Sequence, residues 1–239
     1  MIHLELKLLK MHTKDIGIIF LGKTISKNIL NLSIKFQMSK RKEILIIGNG
    51  RSVLEYSFGK QINTISIVGR INNFSIRNYS EYIGQRTDIW FNGANQNLKR
   101  QKVIPNEVVV FIPPEILHRK KEKIHGLISR RLHIDKAKYS LIPLEVMENF
   151  EKISGVTRLT TGTASILWAA ENFEKVLIHG FDFFIDSKIH YNENLINKWL
   201  IDRGINKKGG KHNMIAEKQF IEKLIQRKQV ILLKEYLRS

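Results

Sequence analysis

From residue 43 onward, short apolar runs alternate with stretches whose apolar residues recur every three or four positions. The runs lie at 44–47, 65–68, 88–91, 108–112, 140–142, 176–179 and 230–233. Each is brief, β-branched and flanked by polar residues, the pattern of strands covered on both faces. Helical spacing occupies 52–58, 114–131, 144–153, 163–172, 193–203 and 214–226. Pro113-Pro114 reads as a helix start, because proline is tolerated in a first turn. Strand and helix patterns in strict alternation predict an α/β fold: a single doubly wound, mostly parallel sheet with helices on both faces, Rossmann-like. Residues 1–37 show no such order. They are expected to be a peripheral appendage, or to precede a natural start at Met38, with 38–239 forming the working domain. A short amphipathic helix at a membrane surface is the alternative for that segment.

Composition narrows the function classes. The 239 residues include no cysteine, which removes disulfides, thiolate metal sites and a cysteine nucleophile. That usage fits a cytoplasmic protein. No apolar run approaches the ~18–20 residues that span a bilayer. The formal charge of +18 is extreme. It raises the possibility of a basic nucleic-acid-binding α/β module, yet no zinc spacing, helix-turn-helix signature or aromatic-flanked basic motif accompanies it. Lys, Ile and Asn are all abundant, so part of the charge is expected to be a solvated surface. The same charge would favour peripheral contact with an anionic membrane and the capture of anionic substrates.

Candidate chemistry gathers where the pattern places strand ends. In open α/β sheets, ligands bind beyond the carboxyl ends of the strands. Gly48-Asn49-Gly50 follows the first run, where glycines permit close backbone approach and the next helix offers amides to an anion. A tight strand-to-helix turn explains the same residues equally well. Thr160-Thr161-Gly162-Thr163 opens an apolar helix and suits a phosphate or carboxylate, or ordinary capping by threonine. Asp182 lies in Gly180-Phe181-Asp182 after the next run, facing a ligand or closing a turn. His190-Tyr191 and His212 sit in loops suited to acid–base work, and Glu217 follows His212 by five positions. Neither histidine belongs to a zinc motif. No Asp-x-Asp sequence occurs, although diphosphate-sugar enzymes commonly hold a divalent ion that way. A monophosphate leaving group can be handled by His, Tyr and backbone amides, which favours a CMP-linked sugar donor and no metal or other cofactor.

The order of these motifs resembles the sialyltransferases. The long sialylmotif of the animal-type family is similar to 44–92, through Ile47-Gly48-Asn49-Gly50, Gly69-Arg70-Ile71-Asn72-Asn73 and Ile83-Gly84-Gln85-Arg86-Thr87-Asp88. Its short motif is similar to Thr161-Gly162-Thr163 through Lys175-Val176-Leu177-Ile178-His179-Gly180-Phe181. Its third resembles His190-Tyr191-Asn192-Glu193, and its last resembles His212 to Glu217. The bacterial lipooligosaccharide sialyltransferases share much of this order, and their Arg-x-Thr-Ser-Gly segment resembles Arg158-Leu159-Thr160-Thr161-Gly162.

The resemblance covers 43 to about 224. It implies a GT-A-variant glycosyltransferase domain that is inverting, metal-independent and uses CMP-sialic acid as donor. The partner would be a glycan or glycolipid acceptor, such as the terminal sugar of a surface glycan or lipooligosaccharide. The enzyme would be cytoplasmic, at the inner face of a bacterial membrane. It implies Asn49 and Asn72 on the nucleotide phosphate and ribose and Thr161 and Gly162 near the donor; Gly48, Gly50, Arg158, Thr160 and Asp182 join them as candidate substrate-binding residues. His190 and Tyr191 would hold the leaving phosphate. His212 would be the base, with Glu217 as an orienting residue. The chain departs from the pattern in two places. The disulfide cysteines of the animal family are absent. The first phosphate tyrosine of the bacterial family falls at Phe184, which has no hydroxyl. An α/β transferase using a different nonulosonic acid is the enzymatic alternative.

Overall fold

The computed structural model describes residues 40–182, 191 and 212–238. The expected N-terminal appendage, the helix expected at 193–203, Phe184 and His190 lie outside the described residues. Seven strands form one sheet: β1 (Arg41–Ile47), β2 (Val68–Ile71), β3 (Ile89–Asn92), β4 (Glu107–Val110), β5 (Ser140–Leu141), β6 (Phe173–His179) and β7 (Ile231–Leu232). Their order is β5-β4-β3-β2-β1-β6-β7, and every neighbouring pair is parallel. The doubly wound parallel sheet expected from the alternation is the fold observed.

β1 shows why both faces are covered. Its last four residues are all buried, as befits a central strand between two helical layers. Ile44 and Ile46 enter one apolar cluster, shared with Ile89, Phe91, Leu167 and Ile221. Leu45 and Ile47, pointing the other way, enter a second with Ile62, Val68, Leu177 and Leu233. The two-residue period of the strand thus divides one sequence run between two cores.

Among the described residues the helices are α1 (Gly59–Ile62), α2 (Ser80–Ile83), α3 (Pro114–Lys120), α4 (Ile124–Leu132), α5 (Leu144–Ser154), α6 (Thr161–Asn172), α7 (Met214–Gln226) and α8 (Leu233–Tyr236). The single helix expected over 114–131 is two. Residues 118–123 are all exposed, so no packing holds a continuous rod there. The chain turns at Lys121, whose φ is +45°. The segment expected as a helix at 52–58 is a short 3₁₀ turn, Arg51–Glu55.

β2 begins three residues later than the sequence suggests. The observed strand contains Arg70, beyond the expected run, a charged residue with no exposed surface. Nε donates to the Arg86 carbonyl and to Thr87 Oγ1, both at 3.0 Å, and Nη2 donates to the carbonyls of Ile83 at 2.7 Å and Gly84 at 3.1 Å. Burial lowers its pKa to about 10, partly offset by Tyr191 and Asp88. Backbone oxygens solvate a buried guanidinium here, a solution that an apolar-run reading of the sequence cannot anticipate.

Candidate active site

The chain leaves β1 toward β2 and returns after β5 to β6 on the other side of β1. That reversal puts a crevice at the carboxyl ends of β1 and β6. The loop after β1 and the loop after β6 lie against each other there. Gly48 N–H donates to the His179 carbonyl at 2.8 Å, and Gly50 N–H to the Gly180 carbonyl at 2.9 Å. A Cβ on Gly48 would stand 2.3 Å from the Gly180 oxygen, and one on Gly50 would stand 2.4 Å from the Asp182 carboxyl carbon. The Gly48 contact is with backbone, so glycine is required there by approach; at Gly50 the Asp182 side chain would have to move. Asp182 accepts from the Ser52 amide at 3.0 Å and from the Ser52 hydroxyl. Its carboxylate therefore closes the turn after Gly50.

The neighbouring strand ends join this edge. Asn49 Nδ2 donates to the Ile71 carbonyl at 2.9 Å, tying the first loop to the end of β2. Asn72 follows with φ +47°, in the left-handed region that asparagine tolerates better than most residues. Its Oδ1 accepts from Gly93 N–H at 2.9 Å, and its carbonyl accepts from Trp90 Nε1 at 2.9 Å. Asn92, fully buried at the end of β3, accepts from Ala94 N–H at 2.7 Å. A Cβ on Gly93 would come 2.5 Å from Thr161 Oγ1, and one on Gly162 3.1 Å from the Phe181 ring. Residues far apart in sequence are thus brought to one edge: 48–50, 72, 93, 161–162 and 180–182.

Tyr191 lies beside the first loop, its N–H donating to the Asn49 carbonyl at 3.1 Å. Only 5% of its surface is exposed. Its hydroxyl donates to the Ser75 carbonyl at 2.9 Å and accepts from Ser75 N–H at 3.0 Å. Burial raises its pKa. The phosphate-holding role expected of Tyr191 thus meets a hydroxyl already committed, as both donor and acceptor, to the backbone. The side chain anchors the 74–76 loop.

α6 and α7 build the other wall. Thr160 is the N-cap of α6, its Oγ1 accepting from Thr163 N–H at 3.2 Å. Glu217, in the first turn of α7, has no exposed surface. Its carboxylate accepts from Thr160 N–H at 3.1 and 3.2 Å, from Thr160 Oγ1 at 2.6 Å, and from Thr163 Oγ1. One carboxylate thereby locks the starts of two helices together. Two residues upstream of Thr160 is Arg158, and two residues before α7 is His212. His212 Nδ1 lies 2.6 Å from the Arg158 carbonyl oxygen. A carbonyl can only accept, so Nδ1 carries the proton and Nε2 of the neutral ring keeps its lone pair. Arg158 has φ +55°, its guanidinium pairs with Glu115, and its N–H donates to Glu151 Oε1 at 2.6 Å. Neither glutamate carries a sequence signal; both are ordinary helix-surface acids until the fold brings Arg158 to them.

A parallel sheet with a crevice at the β1–β6 switch and a half-buried, oriented histidine beside it suits a nucleotide-linked transfer. The family model of glycosyltransferase family 29 (sialyltransferase) matches residues 19–229. The chain belongs to glycosyltransferase family 29. It is 26% identical over 219 residues to the type 2 lactosamine alpha-2,3-sialyltransferase of Rattus norvegicus, covering 80% of this chain and 64% of that protein. The chain thus spans under two thirds of that relative's length. Two solved structures share the fold at 17% identity. A mammalian sialyltransferase superposes with a TM-score of 0.62 over 81% of this chain and 69% of its own. A mammalian sialyltransferase in complex with Gal-beta-1-3GalNAc-ortho-nitrophenol gives 0.60 over 84% and 72%. The family match begins within the segment expected to be an appendage and includes every described residue of the site.

Proposed function

We propose that this family 29 chain moves sialic acid from CMP-sialic acid to a hydroxyl of a terminal acceptor sugar, with inversion and without a metal ion. The observation that carries the reading is the His212–Arg158 contact. It fixes the imidazole as the Nδ1–H tautomer and leaves Nε2 as the basic nitrogen. Nε2 would take the proton of the acceptor hydroxyl while that oxygen attacks the anomeric carbon and CMP departs. A positioned base of this kind contributes roughly 10²–10⁴-fold.

The donor would lie over the β1–β6 switch, with Gly48, Asn49, Gly50 and Asn72 lining the nucleotide and the α6 start at Thr161-Gly162 beside it. We assign the leaving phosphate to His190, which precedes the anchored Tyr191 in the sequence. The acceptor is a surface glycan or lipooligosaccharide. The net charge of +18 supports work at the anionic inner face of a cytoplasmic membrane. Residues 38–239 are the catalytic domain in this reading.

Incubation with CMP-sialic acid, related nonulosonic donors and a panel of galactose-terminated acceptors, read by mass spectrometry, tests the activity. His212→Ala should lower kcat by roughly 10²-fold or more while CMP affinity holds, because general-base assistance is realised in the transition state. Near-full turnover by that variant on the true acceptor defeats the mechanism. So does activity lost to EDTA and restored by magnesium or manganese.

A further inference from the structure

The contact that orients His212 is made by a backbone carbonyl, so whatever fixes that peptide also fixes the base. The peptide belongs to Arg158, a residue with a full side chain in the left-handed region, φ +55°. Such a conformation persists only where neighbours hold it. Two do. Glu151, in the last turn of α5, reaches seven residues forward to accept Arg158 N–H at 2.6 Å. Glu115, in the first turn of α3, takes the Arg158 guanidinium in an ion pair. The two acids therefore grip the backbone and the side chain of the same residue from two different helices. With both in place, the Arg158 carbonyl is aimed at His212 Nδ1.

We propose that Glu151 and Glu115 are positioning residues for His212. Through Arg158 they hold the imidazole as the Nδ1–H tautomer, with Nε2 turned to the acceptor hydroxyl. The proposal rests on the reading of His212 as the base. In water the neutral imidazole favours the opposite tautomer, with the proton on Nε2, where the nitrogen cannot accept one. Loss of the Arg158 carbonyl contact therefore disables the base without touching the donor site.

The test uses the full chain labelled with ¹⁵N in its histidine rings. The His212 signals are identified by their loss in His212→Ala. In the wild-type protein the neutral ring should show Nδ1 protonated and Nε2 bare. Glu151→Ala should move them toward the Nε2–H pattern and lower kcat by roughly tenfold or more, with KM for the donor unchanged, since small misplacements of a catalytic group carry costs of that order. Glu151→Gln keeps an oxygen able to accept Arg158 N–H and should restore most of both readouts. Glu115→Gln changes a side chain that is 59% exposed, so its fold should survive even where Glu151→Ala fails to fold. It should give a smaller shift of the same nitrogens. An unchanged tautomer pattern in Glu115→Gln and in every folded Glu151 variant overturns the proposal. If the nitrogens respond but His212→Ala keeps its turnover, the positioning contact stands and the base assignment is what fails.

Discussion

His179 ends β6 with its ring inside the protein, 8% exposed and tilted against Phe58 at 5.8 Å between centroids. Burial pushes its pKa down to about 4, against smaller upward effects from a hydrogen bond to the Val53 backbone and from the Asp182 charge. A histidine depressed in the folded state stays neutral there while the unfolded chain takes up a proton. Between pH 6.5 and 4 the unfolded state binds more protons, so stability is complete above about 6.5 and declines as pH falls toward 4. By pH 5 the loss from this one group should be about 2 kcal/mol. Denaturant titrations at pH 7.5 and pH 5, compared between wild type and His179→Phe, isolate it from the carboxylates. The wild type should lose stability over that interval by about 2 kcal/mol more than the variant. Equal losses in both would show that the ring is hydrated.

At the level of elements, Glu217 has the largest structural consequence. Three donors, Thr160 N–H and the hydroxyls of Thr160 and Thr163, converge on its carboxylate. Glu217→Ala leaves them without that acceptor, Thr163 fully buried and Thr160 partly so. At about 1–3 kcal/mol for a stranded buried group, the variant should be destabilised by about 2–3 kcal/mol, measurable by urea unfolding. It should also lose kcat, because α7 carries His212 on its N-terminal flank. A variant with full stability would mean that water replaces the carboxylate.

The same pair of helices shows what the sequence reveals and what it conceals. α6 and α7 are visible in the apolar spacing, and the threonine cap is visible in the residues. The seven strands are likewise visible as β-branched runs, since parallel strands buried on both faces must be apolar nearly throughout. β2 extends past its expected run to take in Arg70, and the carbonyls of the 83–86 segment with the Thr87 hydroxyl make that residue a strand residue. The candidate site is legible as motifs, not as contacts. Nothing in the residue order shows that Tyr191 turns its hydroxyl onto Ser75, that Asp182 binds Ser52, or that Glu151 and Glu115 meet at Arg158. Those relations depend on which loops the sheet order makes neighbours.

Across the whole molecule, the net charge of +18 is unevenly spread. The α3–α4 region concentrates it: Arg119, Lys120, Lys121, Lys123, Arg130, Arg131, Lys136 and Lys138 stand against Glu115, Glu122 and Asp135. The run 118–123 is exposed throughout and breaks a helix that packing would otherwise continue. Four of its six residues are Lys or Arg. Near an anionic bilayer each such residue contributes about 1 kcal/mol, so a patch engaging four of them would supply about 4 kcal/mol. Interaction of this kind is screened over about 10 Å at 0.1 M salt. The full chain should therefore sediment with vesicles containing phosphatidylglycerol at low salt, release near 0.5 M sodium chloride, and ignore vesicles of phosphatidylcholine alone. Reversal of Lys120, Lys121 and Lys123 to glutamate should weaken vesicle binding while turnover on a soluble acceptor persists, because all three side chains are exposed. Vesicle binding unaffected by that triple change would move the membrane contact elsewhere on the chain. Tight, salt-sensitive binding to DNA with no affinity for CMP would instead show the charge to be a nucleic-acid footprint.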